Sequence, residues 1–395
     1  MEKQRVVYLD NAATTPISNE AYREMIEAYG NVYGNPSSLY KAGREAEALL
    51  SKAREKVAKA IGALPSEIYF TSGGSEANNW AITGIAKANR NKGNHIITST
   101  IEHPSVLETC KMLESEGFRV TYIPVDEFGV VKYSEIVKSI GPDTILISIM
   151  TANNEVGSIQ PVKAISELAK ANEVIFHTDA AQAIGAIDLR VKDIGIDALS
   201  ISAHKFNGPK GIGCLYIKNG IKIQKFINGG NQENNLRAGT ENVPAIVGMG
   251  KAIEEATANI EENNKYLRSL RRYFLKQASA SIHNIALNGH PIQRLANNVN
   301  LSFEGADSEA VLLMLDREGV YASASSACAT GSSKPSHVLT AMGKDIETAR
   351  SSIRFTFSKV TTKEDIDYVV ERVRRCVKRI RSISAIRIYK NKVEL

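Results

Sequence analysis

Three short stretches of the sequence carry side chains that could act on one ligand. In SISAHKFNGPKGIG, Ser200 to Gly213, Lys205 stands just past an apolar, strand-like run and before a Gly/Pro-rich turn. Most lysines are solvated surface charges. One at the end of a buried strand is desolvated, which lowers its pKa and makes its amine available as a nucleophile. Ser202 and His204 flank it with donors. In EVIFHTDAAQAIG, Asp179 closes a second apolar run and Gln182 follows one turn later. A carboxylate there lies where open α/β sheets bind ligands, although Asp in such a place is also an ordinary N-cap. TSGGSEANN, Thr71 to Asn79, follows a third run and opens a helical pattern. Gly74 and Ser75 let backbone N–H groups face outward as an anion cradle; the other reading is a plain tight turn. The stretch has neither Walker nor G-x-G-x-x-G spacing.

Together the three stretches suit pyridoxal phosphate. That cofactor needs a lysine for its Schiff base, an acid beside its pyridinium nitrogen and an anion site for its phosphate. An aromatic or imidazole face over the ring would complete the site, and His103 in STIEHPSV, just past the strand HIITST, is the candidate.

A fourth stretch, SASSACATGSSKPSH, places Cys328 among small and polar residues with no hydrophobic periodicity. The other cysteines fit structural faces. Cys110 falls with Val106, Leu107 and Leu113 at helical spacing, Cys214 is inside GIGCLYI, and Cys376 rides near an apolar helix face. These three read as small hydrophobes. Cys328 reads as a thiol that collects an atom and delivers it elsewhere. Attack by sulfur requires the thiolate, and an unperturbed thiol is mostly protonated at neutral pH. A nearby base is therefore expected, with His103 the first candidate.

The elements that must position these groups alternate. EIYF precedes a helix expected from Asn78, and HIITST, TILISIM, EVIFHTD and DALSISA are separated by helical patterns such as KAISELAKAN. This rhythm predicts an α/β fold with a mostly parallel sheet covered by helices. Residues 251–279 read as one long polar-rich helix, followed by NNVNLSF, a helix through AVLLMLDREG, and SIRFTFS, an α+β pattern. The last helix is expected to open at Thr361 with Glu364 completing a capping box. Ile366, Val369, Val370, Val373, Val377 and Ile380 make its apolar face.

The chain has 395 residues, 43% of them hydrophobic, and a formal charge of +6. No apolar run has the length of a membrane span, and the start lacks a secretory pattern, so a cytoplasmic protein is expected. No cysteine pair has metal-knuckle spacing. Residues 371–395 hold nine Lys/Arg against Glu371 and Glu394. A solvated helix face is the simpler reading of that charge than an acidic partner, and little aromatic interleaving supports nucleic acid.

TSGGSEANN, IEHPSV, ANNEVG, HTDAAQ, SAHKFNGPKGIG, RAGTEN, SSAC and SIRFTFS occur in the order found in cysteine desulfurases of the NifS/IscS type. The chain resembles this branch of the class V aminotransferase group of pyridoxal-phosphate enzymes from YLDNAATTP almost to its end. The resemblance implies the aspartate aminotransferase-like fold: a large domain over 15–255, and a small domain over 1–14 and 256–395 carrying the Cys328 loop. It implies Lys205 as the cofactor-bound lysine and Cα base, Asp179 as the pyridinium partner, and Gln182 and Asn154 as contacts to the ring hydroxyl. His103 would stack and serve in proton transfer. Gly74, Ser75, Ser202 and His204 would bind phosphate, with Thr240 reaching it across a homodimer interface. Arg354 would clamp the carboxylate of L-cysteine, near Asn11, Ala12 and Ala13. Cys328 would take the sulfur as a persulfide for a sulfur acceptor or iron–sulfur scaffold. No resident metal is expected, only a transient cluster contact through Cys328, and neither nucleic acid nor membrane as partner. Two departures stand out: Ser325 replaces a usual glycine, and the tail after Ile383 is shorter than in scaffold-docking relatives. Another specificity on the same cofactor, or a non-catalytic platform, are the alternatives.

Overall fold

Apolar runs only a few residues long, bounded by turns and separated by helical segments, bury both their faces when they line up in parallel. In the computed structural model of the chain, which describes residues 5–324 and 335–383, they do so as the core of one sheet. After β1 (Val7–Tyr8) come β2 (Ile68–Thr71), β3 (His95–Ser99), β4 (Arg119–Ile123), β5 (Thr144–Ser148), β6 (Ile175–Asp179), β7 (Ala198–Ser202) and β8 (Gly213–Ile217). The seven strands after β1 form a sheet in the order β2-β8-β7-β6-β5-β3-β4. All run in one direction except β8, which is antiparallel to both β7 and β2. The carboxyl ends of β2, β3, β5, β6 and β7 therefore share one edge, and the loops that follow them carry the sequence motifs.

Side-chain alternation splits the sheet into two faces. Ile97, Ile147, Leu199, Cys214 and Tyr216 join one core with the helices Lys41–Ile61, Val162–Ala171 and Val243–Ala258. Ile96, Leu146, Ala198 and Leu215 join the other with Gly74–Ala88 and Pro104–Ser115, including the fully buried Trp80.

A second sheet is antiparallel, in the order β12-β13-β10-β9, from β9 (Ile285–Asn288), β10 (Asn298–Phe303), β12 (Ser323–Ala324) and β13 (Ser352–Thr356). β11 (Val320–Tyr321) pairs in parallel with β1. Its core, around Phe274, Phe303, Phe355 and Phe357, is closed by the helices Ile260–Ser281, Ser308–Arg317 and Lys363–Ile383. Val338, Leu339, Met342 and Ala349, although late in the sequence, pack into the core of the large sheet.

Three sequence readings are corrected. The helix after TSGG begins at Gly74, not Asn78, because glycine costs little at a helix start whose N–H groups are unpaired in any case. The expected helix 251–279 is two, Val243–Ala258 and Ile260–Ser281, broken where Asn259 adopts φ −139°, ψ 49°. The capping box is one residue on. Thr362 N–H donates to Asp365 and Asp365 N–H to Thr362 Oγ1, while Thr361 Oγ1 accepts from Ser358 N–H.

Phe274 touches both Phe355 and Phe357, at centroid separations of 5.0 and 5.5 Å. Phe274→Ala is expected to destabilise the chain by about 3–5 kcal/mol, read as a lower denaturant midpoint.

Candidate active site

The shared sheet edge opens on a cavity of about 540 Å³. It is lined by Ala12, Ala13, Gly74, Ser75, His103, Asn154, Asp179, Gln182, Ser202, His204, Lys205 and Arg354, so the structure brings together most of the residues singled out in the sequence. Asn11 is buried just behind it, where its amide donates to Thr356 O at 2.7 Å. Thr240 is exposed and lines a smaller neighbouring cavity of about 220 Å³ with Ser72 and Gly211. Cys328 and Ser325 lie outside the described residues, as does the tail after Ile383.

Lys205 follows β7 in a short 3-10 turn, and its Nζ donates to Ala12 O at 2.6 Å and Ala13 O at 2.8 Å. Gln182 Nε2 also donates to Ala12 O, at 2.9 Å. The N-terminal segment is itself anchored by Ala12 N–H to Thr356 Oγ1 and Thr15 N–H to His204 O. His204 Nδ1 lies 3.1 Å from Thr14 Oγ1, and burial, with Lys205 and Lys210 nearby, pushes its imidazole down to about 4.

Asp179 ends β6, 8% exposed, and its carboxylate accepts from Asn78 Nδ2 at 2.7 Å and from Ala181 N–H at 2.9 Å. Two residues back on the same strand face, the fully buried His177 is flanked by Ser148 Oγ and Ser200 Oγ, and burial lowers it to about 4. His103 N-caps the helix Pro104–Ser115: its Nδ1 accepts from Ser105 N–H at 3.1 Å and lies 2.8 Å from Ser105 Oγ. Burial holds it below the ordinary imidazole value, with Asp179 opposing.

Arg354, on β13, is 2% exposed. It donates to Asp10 Oδ1 at 2.7 Å and to Asn154 O at 3.0 Å, and its Nε is buried with no hydrogen-bond partner. Asp10 also accepts from Ser323 Oγ at 2.8 Å. Ser323 stands opposite Arg354 in the β12–β13 register, so the chain enters the undescribed stretch beside the arginine.

The first turn of the helix Gly74–Ala88 faces the cavity. A Cβ on Gly74 would stand 3.1 Å from Ser202 Cβ, and one on Gly213 would meet Ile201 O at 2.4 Å. These two glycines let the helix start close down on β7 and leave its free N–H groups on the cavity wall. A cradle of N–H groups, a buried carboxylate and a lysine within one cavity of this size fit pyridoxal phosphate, which needs all three.

Sequence reasoning missed several contributors. Asn78 bonds both Asp179 and, at 2.9 Å, Ser105 Oγ. Lys210 lines the cavity. Glu76, also in the lining, is held by Arg237 at 2.8 Å. Glu102 and Glu155 are buried carboxyls beside the site. Glu102 accepts from Ser99 Oγ and from Met150 N–H, and Glu155 from Ser336 Oγ. Burial pushes Glu102 up to about 8 and Glu155 to about 7. Each adjoins a residue the sequence did single out, His103 and Asn154, which was the available signal.

The three described cysteines, Cys110, Cys214 and Cys376, are all buried. Burial pushes Cys110 up to about 12 and Cys376 to about 11, and raises Cys214 as well. Among the described residues no group of acidic, His and Cys side chains could hold a metal, and no helix is long and apolar enough to cross a membrane.

Because Glu102 keeps its proton in the fold to a higher pH than the unfolded chain does, its own contribution to stability falls as pH rises from 4.5 towards about 8. Glu102→Gln removes that titration, so the melting temperature of the wild type is expected to drop relative to that of the variant across this window.

The family model for class-V aminotransferases matches residues 7–369. The chain is 52% identical over 382 residues to the cysteine desulfurase IscS of Methanosarcina thermophila, covering 97% of this chain and 94% of the relative. It is 43% identical to the cysteine desulfurase of Homo sapiens, covering 96% and 83%. Among solved structures, a NifS-like protein superposes with a TM-score of 0.89 at 40% identity, over 95% of this chain and all of that one. SspA in complex with cysteine superposes at 0.78 with 36% identity, over 90% and 99%. With this cavity at its sheet edge and these relatives along nearly its whole length, the chain belongs to the class-V aminotransferases, among the cysteine desulfurases of the NifS/IscS type.

Proposed function

We propose that the chain is a pyridoxal-phosphate-dependent cysteine desulfurase that converts L-cysteine to L-alanine and passes the sulfur to Cys328. The observation that carries this reading is the convergence of Lys205, Asp179, His103 and Arg354 on one cavity. Lys205 would tether the cofactor and move the substrate's Cα proton at Nζ. Asp179 would partner the pyridinium nitrogen, and Asn154 and Gln182 the ring hydroxyl. Gly74, Ser75, Ser202 and His204 would hold the phosphate, with Thr240 of a second copy in a homodimer. Bound there, the cofactor supplies an electron sink for chemistry at the substrate's Cα and Cβ.

Arg354 would receive the substrate carboxylate, with Asn11, Ala12 and Ala13 nearby. Its guanidinium already holds Asp10, and its buried Nε has no partner. A bidentate carboxylate satisfies such a fork in a way that lysine cannot. Cys328 is four residues beyond Ala324, the last described residue of a strand that pairs with the one bearing Arg354. Four residues span at most about 14 Å. In the transfer the Cβ–S bond of cysteine breaks and an S–S bond to Cys328 Sγ forms. Cβ gains a proton to complete alanine, and the thiol becomes a persulfide. A sulfur acceptor or iron–sulfur scaffold would then take that sulfur in the cytoplasm. We further propose the division into a domain over 15–255 and one over 1–14 and 256–395; two separate cores support it, although Val338, Leu339, Met342 and Ala349 of the second range pack into the core of the first.

The test is incubation of the cofactor-loaded protein with L-cysteine, with alanine quantified and persulfide mapped by mass spectrometry. Persulfide is expected on the Cys328 peptide. Cys328→Ala is expected to lose it while keeping the visible absorbance of the cofactor, and alanine formation at full rate by that variant would refute the carrier role. Arg354→Gln is expected to raise KM roughly 30-fold, about 2 kcal/mol.

A further inference from the structure

Four residues from three separate elements make one hydrogen-bonded row along the cavity wall. The amide nitrogen of Asn78, on the helix Gly74–Ala88, is 2.7 Å from Asp179 Oδ2 and 2.9 Å from Ser105 Oγ. Ser105 Oγ is in turn 2.8 Å from His103 Nδ1, and Ser105 N–H is 3.1 Å from the same nitrogen. The direction of every bond follows from its ends. Rotating the Asn78 amide would set its oxygen against the Asp179 carboxylate, so the NH₂ must face it. That NH₂ spends its two hydrogens on Asp179 and Ser105. Ser105 Oγ, having accepted, donates its own hydrogen onward to Nδ1. Ser105 N–H can only donate. Nδ1 therefore accepts, and in the neutral ring the proton sits on Nε2.

We propose that Asn78 and Ser105 are positioning residues that hold His103 as the Nε2–H tautomer and tie the ring to the Asp179 carboxylate. The consequence for the chemistry rests on the desulfurase reading, but the tautomer itself does not. His103 presents an N–H to the cavity, not a lone pair. Protonating it would set a new Nδ1–H against the Ser105 N–H. The ring is thus built to stack and to donate a hydrogen bond, and the base for the Cys328 thiol must lie elsewhere than Nε2 of the neutral ring, against the expectation drawn from the sequence. Asn78 Oδ1 is buried without a partner, so the amide is held by what it donates and not by what it accepts.

The experiment is histidine ¹⁵N NMR of the labelled protein, without and with pyridoxal phosphate, the His103 signals being identified by their loss in His103→Gln. In the wild type a pyrrole-type Nε2 and a pyridine-type Nδ1 are expected in both preparations. Ser105→Ala keeps the backbone bond and loses one of the two donors. It is expected to shift the ratio toward Nδ1–H or the protonated ring by about fivefold to tenfold, and Ser105→Thr to restore it. The Asn78→Ala/Ser105→Ala double variant is expected to shift it no further than Ser105→Ala alone, because the two act as one chain. A wild-type ring that is Nδ1–H or mixed, or additive effects of the two substitutions, would overturn the proposal. A fold defect alone would lower the melting temperature without moving the tautomer. Alanine formation from L-cysteine, measured in parallel, tests the desulfurase reading separately: an inactive wild type with the expected tautomer sinks that reading and leaves the lock standing.

Discussion

A lysine nitrogen lining a cavity needs acceptors for its N–H groups, and here main-chain carbonyls provide them. Lys205 Nζ is held by Ala12 O and Ala13 O, and Ala12 O also takes the Gln182 amide. Those carbonyls belong to a segment that β13 grips through Thr356 and that the turn after β7 grips through His204. The N-terminal residues thus join the two cores, and the join is made at the lysine. A shift of the second sheet relative to the first would pull the acceptors off Lys205 and move Arg354 at the same time, since both depend on β13.

Several titratable groups in and beside the cavity are kept from ionising by burial. His204 and His177 are held neutral by burial well below neutral pH, and Glu102 and Glu155 are pushed up to about 8 and about 7. The two glutamyl groups still have structural work: Met150 N–H is fixed by Glu102, and Ser336 is fixed by Glu155. The loops after β3 and β5 and the start of the helix His337–Ala341 are thus tied through carboxyls whose ionisation burial disfavours, Glu102 having Asp179 nearby as a further reason to stay protonated.

How much of this could be read from the sequence depended on the kind of signal. Lys205, Asp179 and His103 each follow an apolar run, and parallel strands put all such ends on one edge, so their meeting was legible. The reversal of β8 was not, because an apolar run such as GIGCLYI does not reveal its direction; the structure sets it antiparallel to β2 and β7, with Gly213 close against Ile201 and Gly73. Asn78 was hidden by a boundary. Starting the helix there made it a cap, whereas the true start at Gly74 places it one turn in, facing a strand end 101 residues away. Helix propensity penalises Gly-Gly, but that penalty belongs to helix interiors and not to a first turn whose N–H groups are exposed anyway. The same confusion of composition with position moved the final capping box by one residue, since both Thr361 and Thr362 are followed three residues later by an acid.

Thiols show the same separation between where a residue packs and what it can do. Cys110, Cys214 and Cys376 occupy positions a methyl-bearing side chain could fill, and burial raises the pKa of each far above neutrality. A nucleophilic sulfur needs thiolate character and access, and close packing denies both. A carrier thiol must also leave the place where it was loaded, which no side chain of a dense core can do. In the sequence Cys328 stands instead among serines, alanines and a glycine, following Ser323, which bonds Asp10, and preceding Ser336, which bonds Glu155.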